Sequence, residues 1–203
     1  TISGSRSYDS TTTADSSILT ITSGVSGESL SLTGAGILGA ASAGTQTITN
    51  NNTLAIADGT GSASNYTLNG ASINVTVIPK TLNVTLAREY DGTTTVAGAL
   101  LTPTFDSLQG GETLAISGTG SVANANVGSS KAVTLGTIAL AAGSGNPSNY
   151  SLISVLLDVT QRVINLDGIR AYDATTNVLS SDINTFGNIV SGETLTNFGT
   201  GSV

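Results

Sequence analysis

Residues 88–95 read "REYDGTTT", and the same pattern stands at 6–13 as "RSYDSTTT" and at 170–177 as "RAYDATTN". Tyr8 lies 82 residues before Tyr90, and Tyr90 lies 82 before Tyr172. The chain carries six Lys and Arg in all, and Arg6, Arg88 and Arg170 each sit two places ahead of one of these tyrosines. A constant period of this length describes a repeated domain. Solenoid coils repeat about every 20–30 residues, and no such sub-period divides the 82.

Other landmarks keep the same order. "SGESLSLTGAG" (26–36) matches "GGETLAISGTG" (110–120) and "SGETLTNFGTG" (191–201), and "SNYTL" (64–68) matches "SNYSL" (148–152). Gly44 to Asn65 spans 21 residues, as does Gly128 to Asn149. "VTVIPKTLNV" (75–84) and "LDVTQRVINL" (157–166) each read as an apolar strand, a short polar break and a second apolar strand. They place boundaries near Lys80 and Gln161. The expected organisation is a nearly complete domain over 1–79, a complete one over 80–161 and the N-terminal half of a third over 162–203.

Within a period, Thr, Val, Ile and Leu alternate with polar residues, as in "TLNVTLA" (81–87) and "ETLAIS" (112–117), between Gly, Asn and Ser breaks. "KAVTLGTIAL" (131–140) and "NYSLISVLLDV" (149–159) read as longer strands. Six or seven strands per period predict an all-β fold of tandem immunoglobulin-like β-sandwich domains, each about 82 residues long.

Composition narrows the function. The 203 residues include no Cys, Met, Trp or His, and 9% are charged. Without His or Cys the chain has no thiolate nucleophile and no imidazole base, and zinc and haem sites lose their commonest ligands. An enzyme is therefore not expected. A net charge of −7 and six scattered cations cannot displace the counterions of a nucleic acid. No apolar run approaches the ~20 residues that span a bilayer.

Taken together, "AREYDGTTT", "GGETLAISGTGSVANANVGSSKAVTL", "GNPSNYSL" and "LDVTQRVINL" resemble the YDG-type repeat. That repeat is similar to the MBG repeats, which are mostly bacterial and immunoglobulin-like. The chain departs from it at Ser10 and Ala174, where the family favours Gly, and at Thr47, where Lys131 stands one period on. The resemblance implies a stalk or spacer in a secreted bacterial surface adhesin or fibre, serving attachment or biofilm cohesion. Its partners would be neighbouring repeats, other copies in a fibre, or a surface receptor or glycan, with no nucleic acid and no membrane insertion. The alternatives are a ligand- or glycan-binding β-sandwich module and a segment of a strand-complemented filament.

The repeated residues read as structure. Asp9, Asp91 and Asp173 suit an Asx-turn, accepting the N–H two residues on. Arg6, Arg88 and Arg170 are expected over the rings of Tyr8, Tyr90 and Tyr172, or paired with a carboxylate of the same period, for which Glu28, Glu112 and Glu193 are the natural candidates. Tyr66 and Tyr150, at the head of a strand, are expected to bury their rings and bond their hydroxyls to backbone. The Gly of Tyr-Asp-Gly, replaced twice, reads as the least essential letter. No cofactor is expected. Calcium, which takes hard oxygen ligands, has its nearest acids at Asp158, Asp167 and Asp173. Residues 162–203 alone would leave an open sheet edge and half a core, so they are either a truncation or completed by strands of another copy.

Overall fold

The computed structural model describes residues 1–23 and 25–202. It is all-β, with 47% of residues in strands and no helix of seven or more residues; one sheet forms a half-barrel. Residues 1–79 hold β1 (Ile2–Ser7), β2 (Thr13–Asp15), β3 (Leu19–Ile21), β4 (Leu30–Thr33), β5 (Ala35–Leu38), β6 (Gly44–Asn50), β7 (Ala55–Asp58) and β8 (Ile73–Ile78). Residues 80–161 hold β9 (Lys80–Glu89), β10 (Thr95–Ala97), β11 (Thr104–Phe105), β12 (Leu114–Ser117), β13 (Thr119–Ser121), β14 (Gly128–Ala132), β15 (Ala139–Ala142) and β16 (Tyr150–Thr160). Residues 162–202 hold β17 (Asn165–Gly168), β18 (Asn177–Leu179), β19 (Ile183–Gly187) and β20 (Thr200–Ser202).

The middle segment thus has eight strands where six or seven were expected. Glycine accounts for the excess. Gly118 sits at φ +80°, and a Cβ there would lie 2.0 Å from the Thr137 carbonyl oxygen. The chain turns a corner at that point, so β12 pairs with β15 while β13 pairs with β10. Gly34, at φ +77°, does the same between β4 and β5. The run at 131–140 is not one strand either, because the chain turns at Gly136 (φ +54°) between β14 and β15. The run at 149–159 does form a single strand, β16.

One pairing positions everything that follows. β1 and β8, the first and last strands of 1–79, lie parallel from Ile2↔Ile73 to Ser7↔Ile78. β9 and β16 lie parallel from Tyr150↔Lys80 to Thr160↔Glu89. Parallel strands finish at the same end. The Tyr-Asp that follows the first strand therefore stands beside the point where the last strand leaves for the next segment. Backbone bonds fix this, from Tyr8 N–H to Ile78 O (2.8 Å) and from Tyr90 N–H to Thr160 O (2.9 Å).

Alternation packs the strands. Leu82, Val84 and Leu86 point inward from β9, and Val155, Leu157 and Val159 from β16, all buried. Full burial of such side chains contributes about 1.5–3 kcal/mol each. One apolar cluster lies within 84–159. The other combines Tyr8, Val75 and Val77 with Leu82, Leu114 and Tyr150, and so continues from the first segment into the second. Every buried apolar side chain among the described residues falls between Tyr8 and Val159. Beyond that, Leu166 (50%), Ile169 (83%) and Phe198 (91%) are exposed.

Candidate functional site

The three Tyr-Asp loops share one internal geometry. Asp9 Oδ1 accepts from the N–H and the hydroxyl of Thr11, both at 2.9 Å. Asp91 does the same with Thr93 at 2.9 Å, and Asp173 with Thr175 at 3.0 and 2.9 Å. These are the Asx-turns expected from the sequence. In each loop the arginine closes the turn from below. Arg6 pairs with Asp9 and donates to Thr11 O, Arg88 lies 3.2 Å from Asp91 and donates to the carbonyls of Thr93 and Thr95, and Arg170 lies 2.7 Å from Asp173 and donates to Thr175 O. Burial disfavours ionisation of Asp9 and Asp91, but the arginine and threonine donors outweigh it and hold both carboxyls below the usual range. The Thr175 donors, with Arg170, do the same for Asp173.

The expected pairing of arginine with glutamate is therefore corrected. The terminal nitrogens of each guanidinium are engaged by the acid three residues away and by loop carbonyls, which hold it against its own turn. The Arg6 and Arg88 side chains are 8% and 10% exposed, and the Nε–H of each is buried without a partner.

The middle position of the turn is corrected as well. Ser10 (φ 64°), Gly92 (φ +74°) and Ala174 (φ 61°) all occupy the left-handed region. Glycine adopts that region without the cost an L side chain meets. The Gly of Tyr-Asp-Gly is thus dictated by the backbone, and its replacements fold at a conformational penalty.

The glutamates belong to the tyrosines. Tyr150 donates to Glu112 Oε2 within its own segment. Glu112 Oε1 accepts from Tyr8 at 2.6 Å, and Tyr8 comes from the preceding segment. One carboxylate thus takes a tyrosine hydroxyl on each oxygen, and the two rings meet edge to face with centroids 5.4 Å apart. Gln109 N–H donates to the Tyr150 hydroxyl at 3.0 Å, so only that bond fulfils the expected link to backbone. Burial of the ring, and next the Glu112 bond, push the Tyr150 hydroxyl up to about 12. The same causes raise Tyr8.

Tyr90 repeats the reach with a smaller set. Its hydroxyl donates to Glu193 Oε1, 103 residues on. That bond is the main cause of its raised pKa. Tyr66 donates to Glu28 within the first segment, again raising the phenol. Tyr66 is half-exposed, against the expected burial of its ring. Tyr172 is 94% exposed.

Two contributors gave no signal beyond turn propensity. Asn149 is buried at 5% exposure and accepts the Ala43 N–H at 2.9 Å across the same contact. Its counterpart Asn65 is exposed. Arg162 clasps the second contact, donating to the Tyr90 carbonyl (3.3 Å), to Asn188 O (2.7 Å) and to Asn188 Oδ1 (2.6 Å). The acids considered for calcium do not converge. Asp158 accepts from the Ser130 N–H at 2.6 Å, Asp167 lies in β17, and Asp173 is held in its turn. No three of His, Cys, Asp and Glu gather among the described residues.

The span from the end of β8 to the middle of β16 matches a known family. Residues 78–156 are a YDG domain. No curated protein and no solved structure matches the chain. The YDG domain carries the glutamate that receives Tyr8 at one end and the tyrosine that reaches Glu193 at the other. The three letters of its name are Tyr90, Asp91 and Gly92, the loop that makes the second of these contacts. Tyrosine reaches forward, aspartate closes the turn, and glycine permits the turn's left-handed residue.

Proposed function

We propose that the chain is a run of tandem immunoglobulin-like domains of about 82 residues, bounded near 1–79, 80–161 and 162–203. Together they form part of the stalk of a secreted bacterial surface adhesin or fibre that serves attachment or biofilm cohesion. The observation that carries this reading is the forward bond. Tyr8 and Tyr90 each hydrogen-bond a glutamate more than a hundred residues on, in the following segment. A motif built to display a ligand site would keep its polar groups free. Here every Arg and Asp of the motif bonds within its own loop, and Tyr8 and Tyr90 bond to the following segment, where their effect is to stiffen the passage from one domain to the next. The parallel first and last strands also suit an immunoglobulin-like domain, since they send the chain out at the end opposite its start.

The test pairs shape with binding. Small-angle scattering of the 203-residue chain should give an extended, narrow particle, and Glu112→Ala should broaden its distance distribution. A glycan array probed with the same chain should show no binding. Glycan capture at micromolar affinity would remove the pure spacer reading in favour of a binding module. The exposed Leu166, Ile169 and Phe198 favour a second reading, in which strands of another copy complete the third domain to build a filament.

A further inference from the structure

Glu112 shows what a filled acceptor looks like, with one tyrosine on each carboxylate oxygen. Glu28 is half-filled. Tyr66 takes Oε2, in the way that Tyr150 does at Glu112, and Oε1 has no donor among the described residues. Beside it Val25 is 52% exposed. The acceptor loop here, Val25-Ser26-Gly27-Glu28, has the same four residues as Val190-Ser191-Gly192-Glu193. That second loop is the one on which Tyr90 docks: Glu193 takes the hydroxyl, and Val190 packs so close to Gly92 that a Cβ on the glycine would lie 2.7 Å from Val190 Cγ1. The backbone turns agree too, with Glu28 N–H bonded to Val25 O (3.3 Å) and Glu193 N–H to Val190 O (3.0 Å).

At the far end of the chain stands a donor of matching form. The Tyr172 loop has the same Arg–Asp–Thr bonding as the two loops that dock. Its tyrosine is 94% exposed, and its hydroxyl has no partner among the described residues. We infer that the Val25–Glu28 loop is a docking site for the Tyr172 loop of a second copy of this chain, the Tyr172 hydroxyl donating to Glu28 Oε1. The occupant is identified by the two docked loops already inside the molecule, one of them seated on an identical acceptor tetrapeptide. Donor and acceptor lie on different segments, so the contact is heterologous and adds copies head to tail without closing. This inference rests on reading the tyrosine–glutamate bond as a joint, and its test is separate from that of the joint itself.

Sedimentation velocity over a wide concentration range reads the outcome. The wild-type chain should self-associate reversibly. Tyr172→Phe, which removes one exposed hydroxyl and cannot disturb a core, should weaken association about twofold to threefold, the scale of a solvent-accessible hydrogen bond such as that from Tyr90 to Glu193. Glu28→Gln should weaken it similarly, and the double variant should be no weaker than either single one. Ala174→Gly should tighten association, because the Cβ of Ala174 would meet Val25 where Gly92 leaves room for Val190. A strictly monomeric wild type would overturn the inference while leaving the bond from Tyr8 to Glu112 untouched. Association that persists unchanged in Tyr172→Phe and Glu28→Gln would also overturn it, assigning the contact to the apolar face of 162–202.

Discussion

The two passages between segments use the same letters and reach different ends. At the first, Pro79 alone separates β8 from β9. Tyr8 is 4% exposed, Glu112 holds two tyrosines, Asn149 takes a backbone donor from across the contact, and one apolar cluster runs through. At the second, residues 161–164 separate β16 from β17. Tyr90 is half-buried, Glu193 holds one tyrosine, and the cations and amides of Arg162 and Asn188 bridge a cleft of about 370 Å³. The difference is one of solvent. A carboxylate whose donors are buried cannot exchange them for water, whereas an exposed one can. The same bond is therefore structural at the first passage and close to neutral at the second.

Glu112→Ala is the strongest way to break this contrast. It leaves the hydroxyls of Tyr8 and Tyr150, residues 4% and 5% exposed, without their carboxylate acceptor, and should cost about 3 kcal/mol. Urea unfolding should show the loss in residues 1–161. A loss below about 1 kcal/mol would place both passages in the same weak class.

Alkaline pH probes the same buried tyrosines without mutation. Burial and Glu112 favour the protonated phenol in the folded state, with Tyr150 at about 12 against an ordinary 10.0. A raised pKa contributes stability that is complete below pH 10 and lost as pH rises through the folded value. Thermal midpoints should hold up to pH 10 and fall between 10 and 12. The fall should be shallower in Glu112→Gln, which keeps the burial and removes the charge.

Much of this was legible from local spacing, and the rest was not. Each Asx-turn joins residues two apart, and propensity at Asp9, Asp91 and Asp173 is enough to predict it. The alternation in 81–87 and 149–159 is likewise local, and both strands form. Partner choice for Glu112 was misread because a strict period hides it. When every landmark recurs at the same spacing, a bond within a period and a bond to the next leave the same pattern. Opposite charge then favoured arginine, yet the loop carbonyls of Thr11, Thr93 and Thr175 lie nearer. The topology settles the matter. Parallel first and last strands put Tyr8 and Pro79 at one end, and that end faces the next segment's glutamate.

Asp91→Ala should cost about 1 kcal/mol, since it removes the acceptor for the Thr93 N–H and a partner of Arg88. The effect is local and should match that of Asp9→Ala in denaturant melts. A much larger loss for Asp9 would mean that its turn supports the buried Tyr8 as well as its own loop. Glu193→Ala should cost well under 1 kcal/mol, because water can replace the exposed partner.

The smallest effect sharpens the comparison from the turn itself. Ser10 and Ala174 pay for left-handed backbone that Gly92 adopts freely. Among the described residues no hydrogen bond of the Ser10 hydroxyl offsets this, and Ser10 Oγ would lie 3.2 Å from a Cβ built on Gly110 across the first passage. Ser10→Gly removes a penalty of about 1–2 kcal/mol, and it adds about 0.5–1 kcal/mol of chain entropy to the unfolded state. The net should be a gain of about 0.5 kcal/mol, read as a small rise in melting temperature. Gly92→Ala should go the other way and further. It meets the same backbone penalty and also the Val190 methyl 2.7 Å away. If Ser10→Gly destabilised the chain instead, the serine side chain would be holding the first passage closed, and the turn would contribute to the joint through packing as well as through tyrosine.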